Sequence, residues 1–114
     1  MTNQEYNQLK DIKSCALNDK SVLIIGGGFM GKQYAHALAK LNVNDVTIIT
    51  RGEKQFSDFS NKFEYNIIAG GFEKHLPTIG HKDLVVIATP TELIVPAAKL
   101  AIKTGQDVIL LEKP

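Results

Sequence analysis

At 114 residues the chain fits a single domain with a real hydrophobic core. Its 44% hydrophobic and 22% charged residues are ordinary for a soluble globular protein, and a net charge of +1 gives no electrostatic case for nucleic acid or an acidic membrane surface. The single Cys15 excludes an internal disulfide and any multi-cysteine metal site.

In chain order, residues Gln4 to Leu17 set Tyr6, Leu9, Ile12, Ala16 and Leu17 near one helical face, which predicts an amphipathic helix packed on the domain or on a partner. Asn18-Asp19-Lys20 breaks it, so residues 1–20 form an appendage to the domain at 21–114. This start is polar and carries both signs of charge, unlike a secretory signal, and no apolar run approaches a membrane span; a cytoplasmic location is expected.

Ser21 to Ile25 reads as the first strand and Gly28 to Leu41 as a crossover helix with Tyr34, Leu38 and Leu41 inward. Asp45 to Thr50 is the second strand. Phe56, Phe59 and Phe63, at spacings of three and four, predict a short core-facing helix over Lys54 to Phe63. Tyr65 to Ala69 is the third strand, closed by Gly70-Gly71, and Phe72 to Ile79 a helical turn expected to stop near Pro77. Asp83 to Ala88 is a nearly unbroken apolar run, as in a strand buried on both faces. Thr91 to Thr104 is helical, with Gly105 just past its end, and Asp107 to Leu111 is the last strand.

Strands alternating with helices imply parallel pairing through right-handed crossovers. The expected architecture is α/β: a doubly wound parallel sheet (Rossmann fold) of about five strands in the order 3-2-1-4-5, with an extra amino-terminal helix. Such sheets bind ligands beyond the carboxyl ends of their strands.

After the first strand, Gly26-Gly27-Gly28-Phe29-Met30-Gly31 fits G-x-G-x-x-G. Gly26 permits the tight turn, Gly28 lets backbone approach a pyrophosphate, and Gly31 lets the helix pack closely on the strand. Amides at the helix start then face the anion.

After the second strand an NAD site usually carries a carboxylate for the ribose hydroxyl. Here Thr50 and Arg51 stand in that place, and a guanidinium can grip a 2′-phosphate. NADP is therefore expected ahead of NAD. The alternative is a solvent-exposed Arg51 with Glu53 reaching the ribose.

After the fourth strand, Ala88, Thr89 and Pro90 leave room for a cofactor, and Thr91 can cap the next helix or bond the ligand. After the fifth come Glu112, Lys113 and Pro114; a lysine there can stabilise oxyanion character at a carbonyl or relay a proton, although spacing alone favours a surface lysine.

Taken together, the glycine turn, Val86-Ile87-Ala88-Thr89-Pro90-Thr91 and Leu111-Glu112-Lys113-Pro114 resemble the Gfo/Idh/MocA oxidoreductases over residues 21–114. The likeness implies the NAD(P)-binding domain of an oxidoreductase that transfers hydride to or from a sugar, sugar nucleotide, inositol or related carbonyl or alcohol. It places Glu112 near the nicotinamide ribose and Lys113, as catalytic residue, beside the reacting carbon.

The sequence departs from the family pattern at Thr91, where asparagine is usual, and lacks the nearby histidine. The family's substrate domain, which the resemblance places after Pro114, is expected to be missing from this chain. The chain alone is thus expected to bind a dinucleotide without turnover, taking a small-molecule substrate only with a second domain. Its open sheet edges make a homo-oligomer an expectation as well.

Other chemistries have less support. His36, His75 and His81 are scattered, against a metal site, and no G-x-S-x-G nucleophile elbow occurs. The surviving alternative is a non-catalytic dinucleotide-binding sensor or scaffold that uses its first helix to join a partner.

Overall fold

The computed structural model describes residues 19–112. The expected amino-terminal helix, Cys15, Lys113 and Pro114 lie outside the described residues. Within them the chain alternates five strands and four helices: β1 (Val22–Ile25), α1 (Phe29–Lys40), β2 (Val46–Thr50), α2 (Glu53–Ser60), β3 (Asn66–Ala69), α3 (Phe72–Ile79), β4 (Leu84–Ile87), α4 (Thr91–Lys103) and β5 (Ile109–Leu111). The strands form one parallel sheet in the order β3-β2-β1-β4-β5, as the sequence predicts.

The central strands explain why this order is stable. Val22, Leu23, Ile24 and Ile25 of β1 are at most 1% exposed, and β4 is buried along its length. Alternation along each strand divides the core into two layers. Val22, Ile24, Ile48 and Val86 face Tyr34 and Leu38 of α1 and Phe59 of α2. Leu23, Ile25, Ile49 and Val85 face Phe72 and Leu76 of α3 and Ala97 and Ala101 of α4. A strand apolar at consecutive positions thus serves both layers.

Two expected boundaries are corrected. The second helix ends at Ser60, and Phe63 lies in the following turn, where its amide donates to the Phe59 carbonyl at 2.9 Å. Phe63 still joins the core margin by packing on Phe59, Tyr65 and His36. Pro77 does not stop α3, which runs on to Ile79. Pro77 is exposed, while Leu76 before it is 1% exposed and Ile79 beyond it packs on the second layer. Burial on both sides of the proline offsets the loss of one helical hydrogen bond.

Candidate functional site

The carboxyl ends of the strands are stepped together by backbone bonds. The Gly26 amide donates to Ile49 O at 3.0 Å, the Ala88 amide to Ile25 O at 2.8 Å, and the Gly71 amide to Thr50 O at 2.9 Å. Four loops therefore leave the sheet side by side. They enclose a cleft of about 320 Å³, within the size range of small-molecule sites.

The glycine turn forms its floor. Gly26 has φ +126°, and a Cβ there would stand 2.3 Å from the Ala88 carbonyl oxygen. A Cβ on Gly31 would stand 2.2 Å from the Gly26 carbonyl oxygen, so Gly31 works behind the cleft, holding α1 against the turn. Gly28 differs: its φ is −87°, and a Cβ there would meet nothing within 4 Å. That open space is what an approaching ligand requires.

Gly28 also occupies the N-cap of α1, which receives no side-chain cap and has no acidic residue in its first turn. Gly28, Phe29 and Met30, which open α1, line the cleft, and no carboxylate in the first turn competes for their amides.

Of the candidate cofactor-binding residues, Gly26, Gly28, Phe29, Met30, Thr50, Arg51, Ala88, Thr89 and Pro90 line the cleft. The Thr50 hydroxyl is buried and lies 3.3 Å from Gly52 O and 3.5 Å from Ile68 O, so it shapes the loop. Thr89 Oγ1 is buried at the wall with no hydrogen-bond partner. A buried hydroxyl without a partner costs about 1–3 kcal/mol, a deficit that turning the Thr89 side chain toward a ligand can relieve.

Three of the candidate site residues do not line the cleft. Gly31 has just been placed behind the turn. Thr91 is exposed at the first helical position of α4, with Pro90 in the N-cap, so it neither caps the helix nor lines the cleft. Glu112 is outside the lining as well: its Oε2 accepts from the Tyr34 hydroxyl at 2.6 Å, on the α1 side of the sheet. Strand alternation explains this, since Leu110 packs into the α1 layer and Glu112 follows two residues later. The catalytic assignment of Lys113 lies outside the described residues.

The sequence reading missed Gln55, Phe72, Glu73 and Leu93. Gln55 reaches back from α2, accepting from the Arg51 amide at 3.3 Å and lying against Gly27. Phe72 opens α3 beneath Arg51, whose guanidinium carbon stands 5.6 Å from the ring centroid. Glu73 takes both of its carboxylate contacts, each 3.3 Å, from Arg51 Nη2. Its own backbone amide and Arg51 hold its carboxyl below the usual glutamate range. Leu93 of α4 adds apolar wall. The one local cue was the Gly70-Gly71 turn, which delivers Phe72 and Glu73 to Arg51.

A doubly wound sheet with a glycine turn, an uncapped helix start and a cleft at the strand-order switch defines a Rossmann-type nucleotide-binding domain. More particularly, the chain belongs to the shikimate / quinate 5-dehydrogenase family, whose model matches residues 7–107. Among curated relatives, glutamyl-tRNA reductase of Saccharolobus islandicus is 31% identical over 101 residues, covering 83% of this chain and 24% of that enzyme. The chain thus spans about a quarter of the length of that relative.

Two solved structures share the fold. Biliverdin reductase of Synechocystis, in complex with biliverdin and NADP+, gives a TM-score of 0.69 at 22% identity, covering 82% of this chain and 29% of that one. A shikimate 5-dehydrogenase of Mycobacterium fortuitum gives 0.57 at 22% identity, covering 84% and 37%.

These findings support an NAD(P)-binding Rossmann-type domain of the shikimate / quinate 5-dehydrogenase family; they do not show the Gfo/Idh/MocA family that the motifs resemble. The glycine turn and the small residues after β4 meet demands that any dinucleotide-binding sheet makes, so they do not separate one such family from another. Among the described residues, no helix is long and apolar enough to cross a membrane.

Proposed function

We propose that the chain is the dinucleotide-binding domain of an NADP(H)-preferring oxidoreductase. In the longer protein it would act on a hydroxyl or carbonyl carbon of a small polar substrate held by a further domain. The single observation that carries this reading is the cleft at the switch between β1 and β4. Its glycine floor is open at Gly28, and its wall holds the unpartnered Thr89 hydroxyl.

The chain's own groups divide the work of holding the cofactor. Amides at the start of α1 receive the diphosphate, with the helix dipole behind them. Arg51, steadied over Phe72, offers its guanidinium to a 2′-phosphate. Thr89 gains a partner on the ligand, and Phe29 and Leu93 shield the apolar side. When bound, the dinucleotide supplies the hydride chemistry; the protein supplies orientation and charge. The family's dehydrogenase name, the reductase names of the relatives and the NADP+ in one structural neighbour agree with this reading.

Titration calorimetry with NADPH and NADH tests it. NADPH should bind more tightly, and Arg51→Ala should weaken NADPH by about tenfold or more while leaving NADH within about twofold. Binding of neither dinucleotide at millimolar concentration would sink the domain assignment. Tighter NADH would overturn the NADP preference alone.

A further inference from the structure

The ion pair between Arg51 and Glu73 sits at the mouth of the cleft, where the group expected to grip a 2′-phosphate already holds a carboxylate. We infer that Glu73 is a specificity-determining residue: it occupies the Arg51 guanidinium in the absence of ligand and competes with the 2′-phosphate of NADP(H), so that it narrows the margin between the two dinucleotides. This rests on the proposed reading of Arg51.

The geometry favours competition over support. Both Glu73 oxygens lie 3.3 Å from the same nitrogen, Arg51 Nη2. A fork-to-fork pair would use two nitrogens at shorter distances, so this contact is loose and replaceable. Both side chains are more than half exposed, 54% for Arg51 and 58% for Glu73, where such pairs contribute little.

Arg51 does not depend on Glu73 for its position. Its backbone amide is tied to Gln55, and its guanidinium lies over the Phe72 ring. What Glu73 adds is negative charge. Its Oε1 lies 3.1 Å from where a Cβ of the cleft-lining Gly71 would be, which sets that charge beside the mouth. A 2′-phosphate bound to Arg51 meets this like charge; the ribose hydroxyl of NAD(H) does not.

Glu73→Gln tests the idea, because it keeps the shape and removes the charge. Calorimetry of the wild-type chain and the Glu73→Gln, Arg51→Ala and double variants with NADPH and NADH is the measurement. Glu73→Gln should tighten NADPH by about threefold to fivefold, leave NADH within about twofold, and lose most of its effect when Arg51 is also alanine. The gap between wild type and Glu73→Gln should shrink at high salt.

Unchanged or weaker NADPH binding in Glu73→Gln, with Arg51→Ala still impaired, would overturn the competitor role and leave the phosphate site standing. If Arg51→Ala leaves NADPH binding unchanged, the phosphate-site reading falls and takes this inference with it.

Discussion

The two ends of the sheet are built on opposite plans. At the amino end, polar groups close on one another: the Ser21 amide donates to Asp83 at 2.8 Å, and the Asp83 amide returns a bond to the Ser21 hydroxyl at 3.0 Å. Gln106, only 3% exposed, accepts from the Lys82 amide at 2.8 Å and donates to Gly80 O at 2.7 Å. At the carboxyl end the chain puts glycines, an uncapped helix start and the unpartnered Thr89 hydroxyl. Folding completes the hydrogen bonding of one edge and leaves the other incomplete. The incomplete edge is where a ligand has something to contribute.

Substitutions at the two ends should therefore fail in different ways. The largest effect is expected within the carboxyl end itself, where two glycines separate packing from binding. Gly26→Ala forces a Cβ onto the Ala88 carbonyl at a positive φ and should cost about 3 kcal/mol or more of stability. Gly28→Ala meets no atom and should lower the thermal midpoint only by the small cost of alanine at an N-cap, far less than Gly26→Ala, while reducing dinucleotide affinity. Equal loss of stability in both would erase the distinction.

Gln106→Ala, at the closed end, should cost about 2 kcal/mol in chemical denaturation, because it strands the Lys82 amide and the Gly80 carbonyl. It should leave NADPH affinity unchanged; a marked loss of binding would show that the ends are not independent.

The smallest effect concerns pH. Hydrogen bonds from the Ser21 amide and hydroxyl hold the Asp83 carboxyl below the usual aspartate range, with weaker help from the charges of Lys20 and His81. Because the folded value is lowered, this stabilisation is present above the ordinary aspartate range. It is lost as pH falls through that range toward the lowered value. Asp83→Asn should flatten the acid limb of the melting-temperature profile below about pH 5. Parallel profiles for wild type and variant would argue against it.

The fold was legible because its central strands announce themselves. Val22 to Ile25 and Leu84 to Ile87 are apolar at every position, as only doubly covered strands need be. Pro77 was misread because local chemistry gives no weight to Leu76 and Ile79, whose burial carries the helix past it. The glycine turn was legible because each glycine answers a local steric demand.

Gln55 and Glu73 were not legible. One lies four residues on, its side chain turned back from the first turn of α2, and the other lies 22 residues away, brought to Arg51 by the docking of α3 on the sheet. Glu112 had a readable cue that went unused, its parity with Leu110 along β5.

The contact between Gly26 and the Ala88 carbonyl has one more consequence. Backbone touches backbone where the loops after β1 and β4 part, so the floor has no slack with which to hinge. Within this domain, adjustment to a ligand falls to side-chain rotamers at the rim, Phe29, 68% exposed, and Arg51 among them. Such rotamer changes take picoseconds to nanoseconds, far faster than the closing of one rigid body on another.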